Sequence, residues 1–112
     1  MKLFRLYIGS RHDGGVFSIP ELREVITRTL QPDFPSFTLF DGEGWFRGVC
    51  ESGLMVIVAT DALPRLLDAT ARLRTSLRQE GIGVEFSSRY HRVTEGRNLT
   101  ELAHEILNEG LA

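Results

Sequence analysis

Leu54-Met55-Val56-Ile57-Val58-Ala59 is an unbroken apolar run, closed by Thr60 and Asp61. It is short for a helix and rich in β-branched residues, so it predicts a central strand buried on both faces. Successive side chains in a strand alternate. Leu54, Val56 and Val58 therefore face one way, and Met55, Ile57 and Ala59 the other, and each set needs a cover.

Downstream of the run, Asp61, or Thr60 before it, is positioned to cap a long helix. Leu63, Leu66, Leu67, Thr70, Leu73 and Leu77 recur on one side of it, Arg65, Asp68, Arg72 and Arg78 lie elsewhere, and Gly81 stops it. Val84 to Ser87 reads as a last strand, and Ser88-Arg89-Tyr90-His91-Arg92 as a connector. Asn98-x-x-Glu101 is a capping box for a terminal helix that turns Leu99, Leu102, Ala103, Ile106 and Leu107 inward.

Upstream, Phe37 to Phe40 is a short strand leading into the glycine-rich segment Asp41 to Gly48. Leu3 to Ile8 alternates, with Phe4, Leu6 and Ile8 on one face and Leu3, Arg5 and Tyr7 on the other. Gly9 to Gly15 is a turn-rich loop. Ser18-x-x-Glu21, with Pro20 in the first turn, opens a helix carrying Leu22, Val25, Ile26 and Leu30, which Pro32 and Pro35 close.

The order is strand, helix, strand, strand, helix, strand, then an added helix. This is the split βαβ pattern of an α+β, ferredoxin-like βαββαβ sandwich with a C-terminal helix. One domain is expected over residues 1–112, with its core at about 2–88 and the last helix at about 98–109. Both main helices of such a sandwich cover one sheet face. Either the terminal helix or a neighbouring subunit must then cover the other, and self-association is the preferred reading.

Composition excludes several classes. Hydrophobic residues make up 42% and charged residues 25% of the chain, the balance of an ordinary globular domain. A net charge of −2 with both signs interspersed gives no footprint for nucleic acid. No run approaches the roughly 20 apolar residues that span a bilayer, and the N-terminal stretch, interrupted by Arg5, lacks the form of a leader, so a cytoplasmic location is expected. The lone Cys50 has no disulfide partner and no metal-ligand spacing around it, and it reads as a half-buried small apolar residue.

Thr38-Leu39-Phe40-Asp41-Gly42-Glu43-Gly44-Trp45-Phe46-Arg47-Gly48 resembles the start of the mobile loop in PII signal-transduction proteins. The family's Gly-x-Gly, basic residue and Gly fall on Gly42, Gly44, Arg47 and Gly48. The apolar strand ending at Asp61 and the Leu-rich helix after it also resemble that family, and the wider group of PII-like and CutA-like proteins. The resemblance implies a regulatory homotrimer of ferredoxin-like subunits, with clefts between them for a small anionic metabolite or nucleotide. It departs where the family carries a second phosphate-binding loop rich in Thr, Gly, Lys and Asp. Here that stretch reads Gln79-Glu80-Gly81-Ile82-Gly83-Val84, and Lys2 is the chain's only lysine.

The candidate ligand-binding residues are therefore Gly42, Gly44, Trp45, Arg47 and Gly48, with Arg89 and His91 meeting an anion from the end of the last strand. The glycines allow a close backbone approach, Trp45 stacks or packs, and Arg47 with Arg89 neutralises charge. Gly42-x-Gly44 does not open a helix, so it is no dinucleotide fingerprint, and a plain hairpin turning at Asp41-Gly42 is the alternative. His104-Glu105-x-x-Asn108 lacks the second histidine of a zinc-protease helix. No metal site, catalytic residue or cofactor is assigned. Two other functional classes stay open: a small ferredoxin-like enzyme of isomerase or oxygenase type using His12, Asp13 or His91, and a protein-interaction module acting through the aromatic loop 41–53.

Overall fold

In β1 (Lys2–Gly9), Phe4, Leu6 and Ile8 are buried while Leu3 and Tyr7 are exposed, so the alternation read in the sequence sets the two faces of the sheet. A computed structural model of the chain describes residues 1–108, the side chain of Phe46 excepted. After β1 come the two short strands β2 (Arg11–His12) and β3 (Gly15–Val16), then α1 (Ile19–Leu30), β4 (Thr38–Phe46) and β5 (Val49–Thr60). α2 (Leu63–Ser76), β6 (Gly81–Phe86), β7 (Arg89–Thr94) and α3 (Leu99–Asn108) complete the order.

The main sheet is five-stranded, antiparallel throughout, in the order β4-β5-β1-β6-β7, an α+β architecture consistent with a ferredoxin-like fold. α1 and α2 pack against one face of it. Between them lies a single core of Leu22, Ile26 and Leu30 from α1, Leu66, Leu67 and Leu73 from α2, and Phe4, Leu6, Val56, Val58, Val84 and Val93 from the sheet. Removal of these side chains from water is the main force holding the domain together.

Local chemistry sets the helix ends. The Glu21 N–H donates to Ser18 Oγ at 3.2 Å, the N-cap half of the expected box, and that hydroxyl donates to Glu21 Oε1 at 3.0 Å. At α3 the Glu101 N–H donates to Asn98 Oδ1 at 3.0 Å, as expected; position 109, where the sequence reading ended this helix, lies outside the described residues. The start of α2 differs from expectation. Its N-cap is Ala62, which has no side-chain cap, while Thr60 Oγ1 accepts from the Ala62 N–H at 3.0 Å. α2 also ends before Gly81. Arg78 takes the left-handed conformation (φ 52°) just past its last turn, and Gly81 begins β6 instead.

Four further expectations are corrected. Leu54, Val56 and Val58 are buried, but Met55 and Ile57 are only half-buried and Ala59 is exposed, so the decisive strand is covered on one face. α3 does not supply the second cover, because it packs on α2 and β7, on the helical side. Residues 41–53 are not a loop either. β4 and β5 pair continuously from Thr38↔Ile57 to Phe46↔Val49, and the chain reverses at Arg47 (φ 51°) and Gly48 (φ 79°). Likewise Arg89 to Arg92 belongs to β7, paired with β6 through a turn at Ser87 (φ 50°) and Ser88 (φ 65°). Positive φ at both central residues matches the twist of a tight hairpin.

Candidate functional site

The uncovered face of the sheet carries an unusual set of glycines. Register pairs Gly42 with Gly53 and Gly53 with Gly9, so three residues without side chains lie abreast across β4, β5 and β1. On one side of this row stand the paired residues Phe40, Met55 and Tyr7, and on the other stand Gly44 and Glu51. Since each strand residue advances about 3.3 Å, the two flanks are roughly 13 Å apart along the strands. The result is a trough of about 460 Å³ floored by backbone, within the size range of small-molecule sites.

Glu51 closes one end. A Cβ placed on Gly9 would sit 2.3 Å from Glu51 Oε2, so the missing side chain at Gly9 is what lets the carboxylate fold across the sheet. The Arg11 N–H donates to the same oxygen at 2.7 Å and holds it there. At the opposite flank Tyr90 lies across Gly83, and its ring centroid is 6.2 Å from that of Tyr7. The Tyr7 hydroxyl donates to Glu85 Oε1, whose other oxygen is 3.5 Å from Arg5 Nη1.

That hydrogen bond, then desolvation and the charge of Glu85, raise the Tyr7 phenol above its ordinary 10.0. Tyr7 is therefore a neutral hydrogen-bond donor near neutral pH and is unsuited to act there as a phenolate base. Among the described residues no Lys or Arg lines the trough; its wall is aromatic rings, a thioether and the strand from Phe40 to Trp45, and Glu51 is the carboxylate that faces it, since Asp41 and Glu43 alternate to the other side. Such a surface suits a flat apolar ligand, and rings together with a carboxylate suit a cationic one.

Of the residues singled out in the sequence, Gly42, Gly44 and Trp45 line the trough. Alternation pairs Trp45 with Cys50 on the other face of the hairpin, so Trp45 (69% exposed) meets the trough from its rim. Arg47 and Gly48 form the hairpin turn beyond it, and Arg89 stands at the β6–β7 turn. His91, paired with buried Val84, alternates to the helical face. None of these four lines the trough. Cys50 is exposed, not half-buried as expected. Local desolvation and then the charge of Glu43 and a hydrogen bond to it raise its thiol, which disfavours the thiolate.

Sequence reading missed Tyr7, Glu85 and Tyr90, which come together at one flank only through strand register, and Glu51, which register sets at the other. The available signal was glycine recurring at alternate strand positions, since Gly42 with Gly44 and Gly81 with Gly83 each mark one face. Among the described residues no group of three or more His, Cys, Asp or Glu could hold a metal ion, and no helix is long and apolar enough to cross a membrane.

Neither a protein-family model nor a curated protein matches this chain. Among solved structures it is similar to a phage SAM lyase in its apo state, with a TM-score of 0.62 and 15% sequence identity, over 86% of this chain and 90% of that one. The likeness is one of fold.

Proposed function

We propose that the open sheet face binds a small organic cation carrying a planar ring, and that further copies of the chain cover it, as in the PII-like trimer expected from the sequence. The observation that carries this reading is the row Gly9–Gly53–Gly42 lying between Tyr7, Met55 and Phe40 on one side and Glu51 on the other. A bare backbone floor accepts a flat ring at van der Waals distance. Glu51 at one end and the tyrosine faces at the other each favour positive charge. S-adenosylmethionine, named for the similar lyase, joins an adenine ring to a sulfonium and is a natural first ligand to test.

The Glu51 carboxylate, with no arginine among the described residues lining the trough, moves the reading away from the anionic metabolite or nucleotide expected from the sequence. Exposure of Leu3 (48%), Tyr7 (38%) and Phe40 (47%) on this face supports self-association. Calorimetric titration with S-adenosylmethionine, its uncharged thioether S-adenosylhomocysteine and ATP tests the reading. The expected order is sulfonium over thioether over ATP, with the sulfonium preference lost in Glu51→Gln. Preference for ATP would restore the anionic reading, and silence toward all three would remove S-adenosylmethionine as a ligand. Light scattering reads the oligomer, and a monomer would sink the shared-cover model.

A second reading is catalytic, favoured by the Glu51 carboxylate being fixed over the trough with one oxygen held by the Arg11 amide. A fixed carboxylate can take a proton from a bound ligand. Chromatography of S-adenosylmethionine after incubation with the protein separates turnover from binding.

A further inference from the structure

At the corner where β2, the end of α2 and the edge of the sheet meet, an open notch of about 710 Å³ is lined by Arg11, Arg74, Arg78 and Arg92, with His12 and Gln79 beside them. We infer that this notch is an anion site for a phosphate-bearing small molecule, separate from the trough, with pyrophosphate as its simplest occupant.

Five arginines elsewhere on the surface have acids beside them. Arg5, Arg23, Arg28, Arg72 and Arg97 each stand within ion-pairing distance of a carboxylate. Among the described residues none of the four notch arginines forms such a pair, although Asp13, Glu80 and Glu95 line the same opening. Guanidinium groups gathered from three separate segments repel one another unless an anion joins them. Their planar forks match phosphate oxygens two at a time.

The notch is also built, not a chance gathering of long side chains. Arg78 is held at φ 52°, its carbonyl accepts from the Asp13 N–H at 3.2 Å, and its Nη2 lies 3.2 Å from His12 Nδ1. Arg74 Nη1 donates to the Gln79 carbonyl at 3.0 Å. Gln79 is itself buried, and its Nε2 donates to the Gly9 carbonyl at 2.5 Å, tying this loop to the end of β1. Arg92 lies over Gly81, where a Cβ would come within 2.6 Å of its Nη2, so the absent side chain there makes room for the guanidinium. Side chains held in this way lose little further freedom on binding.

The test titrates the full chain with pyrophosphate at low salt, against sodium chloride of matched ionic strength, and follows thermal stabilisation and calorimetric heat. Saturable binding is expected for pyrophosphate only. Arg78→Gly and Arg92→Gln should each weaken it at least ten-fold. Arg78→Gly keeps the fold, because glycine accepts the left-handed conformation that Arg78 already holds. Phe40→Ala, which alters the trough and lines no part of the notch, should leave pyrophosphate binding unchanged, so the outcome is independent of the trough. Absence of saturable binding overturns the inference, as does binding that survives both arginine substitutions.

Discussion

Two substitutions of one kind, Gly53→Ala and Gly42→Ala, should move stability in opposite directions although the residues are direct partners across β4 and β5. A Cβ on Gly53 would lie 2.5 Å from the Ile8 carbonyl oxygen and 3.2 Å from Gly9 Cα, both backbone atoms of the paired strand. Ordinary contact begins near 3.4 Å, so the oxygen must retreat by about 0.9 Å (3.4 − 2.5) within the β1–β5 ladder. Overpacking of this kind costs about 1–3 kcal/mol. Alanine returns about 0.5–1 kcal/mol by restricting the unfolded chain, which leaves Gly53→Ala roughly 1–2 kcal/mol less stable than the parent. A Cβ on Gly42 meets nothing within 4 Å and its φ is ordinary, so Gly42→Ala keeps only the gain. The gap between the variants is about 2 kcal/mol, or on the order of 10 °C in Tm for a domain of this size. Urea denaturation, with slopes checked for constancy, measures it. If Gly53→Ala equals or exceeds Gly42→Ala in stability, the close strand approach that floors the trough is wrong. Gly42→Ala should also weaken any trough ligand, because its methyl points into the space the ligand needs.

Three further outcomes follow from particular contacts. The raised pKa of Tyr7 means its hydrogen bond to Glu85 contributes full stability below the unfolded value of 10.0 and loses it as pH rises through the higher folded value. Stability of the parent and of Tyr7→Phe should therefore converge only in that alkaline range, as read by denaturation at stepped pH. Ser18→Ala removes the acceptor for the Glu21 N–H and should cost about 1 kcal/mol in urea denaturation. Leu66→Ala empties a fully buried position between helix and sheet and should cost about 2–5 kcal/mol by the same measurement.

Much of the fold was legible because its signals are local. The run Leu54 to Ala59 marks the strand that pairs with both β1 and β4, and the Ser18 and Asn98 boxes mark helix starts that the backbone honours. Glycine misled where it lies within a strand. Gly42 and Gly44 read as a turn, yet the chain turns at Arg47-Gly48, because pairing with Glu51 to Gly53 outweighs the local preference of glycine. β7 was missed for the converse reason: Ser87-Ser88 makes a left-handed turn with no Gly or Asn to announce it. The ligand site was only half legible. Gly42, Gly44 and Trp45 lie along one segment, whereas Tyr7 and Glu51 are far apart in the chain and reach the two ends of one trough through register alone.

β1 ends at Gly9, opposite Gly53, while β4 and β5 run on together to the Arg47-Gly48 turn. Beyond that point each strand of the arm pairs only with the other, tied back to the body through the Glu51 carboxylate on the Arg11 N–H, and a two-stranded ribbon is marginal in water. The arm can therefore breathe without disturbing the body of the sheet. Amide protons paired between residues 43–46 and 49–52 should exchange with deuterated solvent on the clock of local opening, while those of Phe4 to Ile8 wait for global unfolding. One wall of the trough is thus soft and the other rigid, which lets occupants of different thickness be gripped by the same floor.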